Sequence, residues 1–293
     1  MGCPLPHRPD LCDASILRDL LTRHGFHFSK LWGQHFLTDR TVIDSIVSQA
    51  ALTPAHGVLE IGPGVGVLTQ SLCDRAGHVV SVEIDRRLPP VLAETLAGHA
   101  NFSLVESDIL RCDLPSLVNE SLAGLHPVVC ANLPYQITTP VVTRLLESNL
   151  FESLTLMVQK EVALRMCARP STPEYGAFSL LVQAYARPHY CFSVPPHCFV
   201  PRPAVTSAVV SLVREPIDFP DLSVFFKVTR AAFGQRRKML RTALPGPLGL
   251  TREDTLQLLA QAQIAPTLRG EALDLHAFMA LAQAYLTLTH RPG

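Results

Sequence analysis

The chain has 293 residues, 47% hydrophobic and 17% charged, which is enough to bury the core of one large domain and a smaller one. Its 25 basic and 25 acidic residues cancel, which excludes a global attraction to nucleic acid and leaves that binding to local patches. No run approaches the roughly 20 apolar residues of a membrane-spanning helix, and eight scattered Cys without a C-x-x-C pattern predict no metal site.

The N-terminal segment, residues 1–29, is predicted to be an extension and is assigned no role. Residues 1–10 lack the apolar stretch of a secretory signal, so we expect a reduced, cytoplasmic, soluble protein. Asp13 is expected to cap a helix that runs to about Arg23, and Gly25 to end it. Asp39 is expected to cap the next helix, over residues 40–51.

From residue 57 onward, short apolar strands alternate with helices, which predicts βαβ units and a mostly parallel sheet. Two later strands have no helix between them and predict an antiparallel hairpin at the sheet edge. After a Pro-rich linker that begins near Arg214, the pattern is helical to the end. The strands are expected at 57–61, 78–83, 102–106, 127–131, 153–158, 189–194 and 205–213, and the helices at 66–75, 87–98, 114–123, 138–148, 160–168, 175–186, 221–233, 236–243, 252–262 and 271–287.

These elements predict an α/β protein of three parts: the extension at 1–29, a large domain at 30–215 and a small helical domain at 216–293. Polar or glycine residues recur where successive strands end. Gly62, Glu83, Asp108 and Asn132 are 21, 25 and 24 residues apart, close to one βα unit each time. Because parallel strands share one carboxyl edge, the four positions are expected to meet around one ligand there.

Each position has its own chemistry and its own alternative. Gly62 and Gly64 permit the close backbone approach of a ligand, although their G-x-G-x-G pattern differs from the dinucleotide fingerprint. Glu83 can accept both hydroxyls of a ribose, or be a surface acid. Asp108 can accept a hydrogen bond from an adenine amino group, or be a turn residue.

The corner formed by residues 132–135 (NLPY) follows a buried strand that Pro134 interrupts. It presents an amide, a backbone carbonyl and an aromatic ring together. The Asn132 oxygen and the carbonyl can each accept one N–H of an exocyclic amine, and the Tyr135 ring can stack on a planar base. A plain strand-to-helix turn is the alternative.

In combination, these stretches resemble the family of rRNA adenine N6-dimethyltransferases, which use S-adenosylmethionine, over about residues 30–290. The motifs that carry the resemblance are at 33–37 (GQHFL), 60–66 (EIGPGVG), 82–85 (VEID), 132–135 (NLPY), 174–179 (EYGAFS), 194–207 (VPPHCFVPRPAVTS) and 233–238 (FGQRRK).

The resemblance implies a Rossmann-like class I methyltransferase domain followed by a small helical RNA-binding domain. The cofactor would contact His35, Leu37, Gly62, Glu83, Asp108 and Asn132. The target adenine would be held by Asn132, Pro134 and Tyr135, with Phe199 as a second stacking face. The family usually has Asn where this chain has His35, so cofactor affinity or its pH dependence would differ if that side chain matters.

RNA binding is expected to depend on a basic stretch at 227–241 that contains no acid. Several of its bases, including Arg230, Arg236, Arg237 and Lys238, recur at helical spacing and are expected to share one face. A solvated helix face is the alternative.

The resemblance implies dimethylation of two adjacent adenosines in the 3′-terminal hairpin of 16S rRNA, within a pre-assembled small ribosomal subunit, by a monomer that binds no membrane. The nearest alternative is the macrolide-resistance branch, which modifies large-subunit rRNA; Leu133 and Glu174 favour the small-subunit branch. A non-catalytic RNA-binding assembly factor is disfavoured by the intact corner. A nicotinamide dehydrogenase is disfavoured by the glycine spacing.

Overall fold

The computed structural model describes residues 9–26 and 35–289. The predicted turn after Gln34 therefore lies partly outside the described residues. Contacts divide the chain into a first unit, Met1–Ala163 with His189–Arg214, and a second unit, Leu164–Pro188 with Glu215–Gly293.

The helices follow the predicted order, and the predicted caps are present: Asp13 accepts from the backbone N–H groups of Ser15 and Ile16, and Asp39 from that of Val42. The helices are α1 Ala14–Arg23, α2 Arg40–Ala50, α3 Val67–Cys73, α4 Pro89–Thr95, α5 Leu114–Ser121, α6 Thr138–Ser148, α7 Lys160–Met166, α8 Ala177–Tyr185, α9 Leu222–Gly234, α10 Leu240–Ala243, α11 Pro245–Leu248, α12 Arg252–Gln261 and α13 Leu275–Thr289.

The strands form one seven-stranded sheet and one two-stranded ladder. They are β1 Phe36–Leu37, β2 His56–Ile61, β3 His78–Glu83, β4 Phe102–Glu106, β5 His126–Asn132, β6 Ser153–Gln159, β7 Ala186–Val194, β8 Phe199–Val200 and β9 Ser207–Arg214.

The large sheet has the order β4-β3-β2-β5-β6-β9-β7. The pairs from β4 to β6 are parallel, and β9 runs antiparallel to β6. The predicted mostly parallel sheet with an antiparallel edge is confirmed. The strand order reverses between β2 and β5, and such a reversal opens a crevice at the carboxyl ends of those strands. Gly62 follows β2, and Asn132 ends β5.

The two-stranded ladder of β1 and β8 was not predicted. Phe36 pairs with Val200, and Leu37 pairs with Phe199. Two-residue strands that pair across more than 160 positions leave no periodic signal. The ladder fixes the chain just after His35 within the first unit.

Two of the differences from the predictions in the second unit affect its basic stretch and its extent. The helix predicted at 236–243 begins only at Leu240, because α9 ends at Gly234 and a turn follows, with Lys238 N–H donating to the Gln235 carbonyl. Residues 164–188, predicted in the large domain, belong to the second unit, because α8 packs against α9 and α13.

Among the described residues, none of the helices combines the length and apolar character needed to cross a bilayer. Across residues 9–26 and 35–289 there is also no group of three or more His, Cys, Asp or Glu side chains placed to hold a metal ion.

Candidate active site

A cavity of about 460 Å³ lies in the first unit, at the carboxyl ends of the parallel strands. It lies where the strand order reverses between β2 and β5, the usual ligand position in open α/β sheets. The structure brings together around it all the residues predicted to contact a cofactor and all those of the predicted corner. These are His35, Leu37, Gly62, Glu83, Asp108, Asn132, Leu133, Pro134 and Tyr135.

The glycine turn after β2 forms one wall. Gly62 and Gly64 have φ of 68° and 60°, in the left-handed region that side chains other than glycine rarely adopt. A Cβ on Gly64 would lie 3.0 Å from the Phe36 ring, which also lines the cavity. The glycines therefore leave space in the cavity that the side chain of any other residue would reduce.

Glu83 ends β3 and is 7% exposed. Its Oε1 accepts from the backbone N–H groups of Ile84, at 2.9 Å, and Asp85, at 2.8 Å. Burial is the main cause that raises its pKa to about 6, and those hydrogen bonds oppose the shift. Glu83 is thus oriented by its own turn and is not a surface acid, the alternative considered from the sequence.

Asp108 follows β4 and is a turn residue that also lines the cavity. Its Oδ1 accepts from the N–H of Leu110 at 2.9 Å, as a turn residue does, and its Oδ2 lies 3.7 Å from Arg111 Nε. The side chain is 31% exposed and lines the cavity. Its remaining acceptor capacity can meet a donor on a ligand.

Asn132 ends β5 with its amide nitrogen directed to the backbone carbonyl of His35, at 3.5 Å. This hydrogen bond sets the orientation of the amide, and Oδ1 is then the acceptor that is available on the cavity side. Leu133 is buried, and its N–H donates to the Met157 carbonyl. The corner is therefore held by β6 on one side and by His35, just before β1, on the other.

The carbonyl of Pro134 is already committed within the protein. It accepts from Thr138 Oγ1 at 3.1 Å and from the N–H of Ile137 at 3.2 Å. A carbonyl has two lone pairs, so both are used in starting α6. The carbonyl of Leu133, by contrast, accepts no hydrogen bond from the described residues.

Tyr135 is held at both ends. Its hydroxyl is hydrogen-bonded to Ser207 Oγ at 2.6 Å, and its ring lies 6.0 Å from that of His35 at an interplanar angle of 25°. The Nδ1 of His35 lies 2.7 Å from the Pro201 carbonyl. Both the backbone and the side chain of His35 therefore shape this wall.

Phe199 does not line the cavity. It is 1% exposed and belongs to the hydrophobic core, where β8 pairs it with Leu37. Phe199 is therefore a core aromatic residue, and the expectation that it supplies a second stacking face is wrong. The sequence could not distinguish the two, because the pairing that buries Phe199 is non-local.

Glu60, which sequence reasoning did not single out as a site residue, also lines the cavity. It is 1% exposed, and its Oε2 accepts from Thr69 Oγ1 at 2.8 Å and Ser81 Oγ at 2.7 Å. Burial raises its pKa to about 7 despite these two hydroxyls. A charged residue inside an otherwise apolar strand was the signal that could have identified it.

The basic stretch in the second unit does not form one helix face. Arg230 lies on α9, Arg236, Arg237 and Lys238 lie in the turn after it, and Arg241 lies on α10; all five are exposed. Arg236 donates to the Pro173 carbonyl and lies 3.6 Å from Glu271. Among the described residues no acid pairs with the other four.

The comparisons with known proteins agree with this geometry. The model of the family described as ribosomal RNA adenine dimethylase matches residues 25–283. Proteins named ribosomal RNA small subunit methyltransferase A from Streptococcus pneumoniae and Lactococcus lactis are 44% and 43% identical to this chain. The alignments cover 94% of this chain in both cases, and 97% and 96% of those proteins.

Two solved structures share the fold. A dimethyladenosine transferase from Plasmodium falciparum has a TM-score of 0.75 at 24% identity, covering 87% of this chain and 98% of that one. The 23S rRNA methyltransferase ErmE has a TM-score of 0.66 at 28% identity, covering 85% and 98%. The fold is that of a class I methyltransferase. Within that class, the chain belongs to the ribosomal RNA adenine dimethylase family.

Proposed function

We propose that this enzyme uses S-adenosylmethionine to dimethylate N6 of two adjacent adenosines in the 3′-terminal hairpin of 16S rRNA. The observation that carries the proposal is the convergence, in one cavity, of the acid-bearing strand ends with the Asn132 corner. The names of the 44% and 43% identical relatives support the small-subunit substrate.

The residues present fit the cofactor. The glycine turn leaves room where a Cβ would meet Phe36, and Glu83 is a buried, oriented acceptor suited to ribose hydroxyls. Asp108 would accept from the adenine amino group, and His35 and Leu37 would cover the ligand. When bound, S-adenosylmethionine supplies an electrophilic methyl group on a sulfonium.

Asn132 and its neighbour would activate the target nitrogen. An exocyclic adenine nitrogen is a poor nucleophile, because its lone pair is delocalised into the ring. Asn132 Oδ1 and a backbone carbonyl would accept the two amino hydrogens, hold the nitrogen in position and stabilise its developing positive charge. Because both lone pairs of the Pro134 carbonyl are used, we assign that second acceptor to the Leu133 carbonyl.

Tyr135 would supply the stacking surface for the base. Its ring is oriented by Ser207 and by the His35 ring, so little ordering remains to be done when the base arrives. Stacking of this kind contributes about 1–3 kcal/mol per base. Pro134 would contribute by holding the turn that places the ring.

The exposed basic side chains of the second unit would bind rRNA phosphates. Arg230, Arg237 and Lys238 are exposed and have no acidic partner among the described residues, whereas Arg236 is partly neutralised by Glu271. We infer a monomer that acts in the cytoplasm on an assembling small subunit. With zero net charge overall, this local patch would set the docking position.

The likeness to the 23S rRNA methyltransferase ErmE makes large-subunit rRNA the second candidate substrate. Reverse-transcription stops on rRNA from a strain that lacks the gene distinguish the two. We expect two adjacent stops to vanish from small-subunit rRNA and return with the wild-type gene. Loss of stops from large-subunit rRNA instead would overturn the proposed substrate.

A further inference from the structure

Glu60 is a buried carboxylate in the cavity wall that the proposed chemistry does not use. Both of its hydroxyl donors, Thr69 and Ser81, bond to the same oxygen, Oε2. Among the described residues no hydrogen bond reaches the second oxygen, Oε1. Oε1 is not among the enclosed polar atoms that lack a partner, and Glu60 lines the cavity, so this oxygen is the acceptor that the carboxylate presents there.

The surroundings of Glu60 contain a second acid and no strong cation. It faces Ser81 and the Glu83 carboxylate from β3, Thr69 from α3 and the Cys130 thiol from β5. Asp85, Asp108, His35 and Tyr135 also line the cavity, and among the described residues neither Lys nor Arg does. Burial raises the pKa of Glu60 to about 7, and that of Glu83 to about 6, so the cavity changes charge near neutral pH.

The donor and the product of the proposed reaction differ by one charge at the sulfur. In methyl transfer the S–C bond breaks and a C–N bond forms. The sulfur keeps the electron pair and becomes a neutral thioether, and the adenine nitrogen loses a proton to solvent. A negative cavity therefore attracts the cationic donor more than the neutral product, S-adenosylhomocysteine.

We propose that Glu60 is the specificity-determining residue that makes the cavity prefer the charged donor over its neutral product. This inference rests on the proposed function. Glu60 is ionised when the donor is bound and takes up a proton when the cavity is empty or holds the product. Binding of the donor thus releases a proton from Glu60, and the affinity for the donor rises with pH through the neutral range more steeply than the affinity for the product.

Glu60→Gln separates charge from shape. The amide oxygen of Gln still accepts from the Thr69 and Ser81 hydroxyls, but the side chain cannot ionise. Glu106→Gln is the matched control, because Glu106 makes the same charge change on β4, is exposed, and does not line the cavity. A difference between the two variants reports charge inside the cavity.

The test is titration calorimetry with S-adenosylmethionine and S-adenosylhomocysteine, from about pH 6 to about pH 8, in two buffers of different ionisation enthalpy. Because Glu83 contacts the ribose in both ligands, its own proton release is common to them, and the wild type should release more protons near pH 7 with the donor than with the product. In Glu60→Gln that excess should vanish, and the preference for the donor should fall about tenfold for each unit by which donor binding lowers the pKa of Glu60. Glu106→Gln should match the wild type.

Equal proton release by wild type and Glu60→Gln, or an unchanged donor preference, would overturn the inference while leaving the proposed function intact. Equal proton release by the wild type with donor and product would overturn it without any variant. A wild-type protein that binds neither molecule would overturn the proposed function itself, and this inference with it.

Discussion

The proposed mechanism depends on the side chain of Asn132. Asn132→Ala removes the side-chain acceptor at the end of β5 without touching the basic patch of the second unit. We expect methyl transfer to fall about a hundredfold or more, because one pre-organised polar group at a reacting centre contributes that much. RNA affinity, measured by filter binding, should stay unchanged.

The matched control for this substitution is Asn119→Ala, which removes an exposed amide from α5. It should leave both activity and RNA affinity as in the wild type. If Asn132→Ala retained full activity, the amide could not be the acceptor that holds the target amine.

Tyr135 separates stacking from hydrogen bonding. Tyr135→Phe keeps the ring and loses only the bond to Ser207, so we expect a change in kcat/KM of less than about fivefold. Tyr135→Ala loses the stacking surface and should lower kcat/KM about tenfold to a hundredfold. Comparison of single-turnover rates for the two variants is the measurement, and equal losses would show that the hydroxyl is the important group.

The folding stability of the protein is expected to depend on pH through Glu60. Its pKa is raised by burial from an ordinary 4.5 to about 7, so the folded state favours the protonated form. The stability from this group is complete below about pH 4.5 and is lost as the pH rises to about 7. Relative to the wild type, Glu60→Gln should therefore unfold at the same temperature near pH 4.5 and at a higher temperature near pH 8.

The size of that gain is on the order of 3 kcal/mol if the whole shift is relieved. Thermal unfolding followed by circular dichroism, without cofactor, measures it. A variant that is less stable than the wild type at both pH values would show that the Glu60 carboxylate is stabilising and not merely tolerated.

Among the structural elements, the turn between α9 and α10 is the one on which RNA affinity should depend. Arg237→Ala combined with Lys238→Ala removes two exposed basic side chains that have no acidic partner among the described residues. We expect weaker RNA binding and a salt dependence whose slope falls by about 2, one for each lost phosphate contact. Affinity for S-adenosylmethionine should not change.

Arg252→Ala is the control for a general loss of charge, because Arg252 is an exposed basic residue on α12. It should leave the salt slope as in the wild type. A fall of about 1 in slope for Arg252→Ala, half that of the double variant, would mean that the turn has no special role and that binding depends on total charge.

The regular elements were predictable where one periodic pattern decided them. Strands β3 and β4 begin and end where the alternation placed them. The predictions were wrong where a distant contact or a single turn decided the outcome. The β1–β8 pairing buries Phe199, and the break after Gly234 divides a basic run whose spacing alone looked helical.

For the molecule as a whole, strand topology made the cavity predictable. Gly62, Glu83, Asp108 and Asn132 meet because four parallel strands end at one edge, and that followed from spacing alone. The hydrogen-bond state of each group did not follow. The commitment of the Pro134 carbonyl to α6 and the burial of Glu60 depend on three-dimensional contacts that no local pattern encodes.

The division into two units was less predictable than the fold of either. The linker near Arg214 was visible in the sequence, but residues 164–188 belong to the second unit because α8 packs against α9. Two amphipathic helices next to a sheet give no signal of which neighbour they cover.

Methyl transfer from tritiated S-adenosylmethionine to purified, unmethylated small ribosomal subunits is the most direct measurement of the central claim. We expect four methyl groups per particle, two on each of two adjacent adenosines near the 3′ end of 16S rRNA, and transfer that is about a hundredfold slower or more with the Asn132→Ala protein. Label that appears in large-subunit rRNA, or no label in either subunit, would contradict the proposed function.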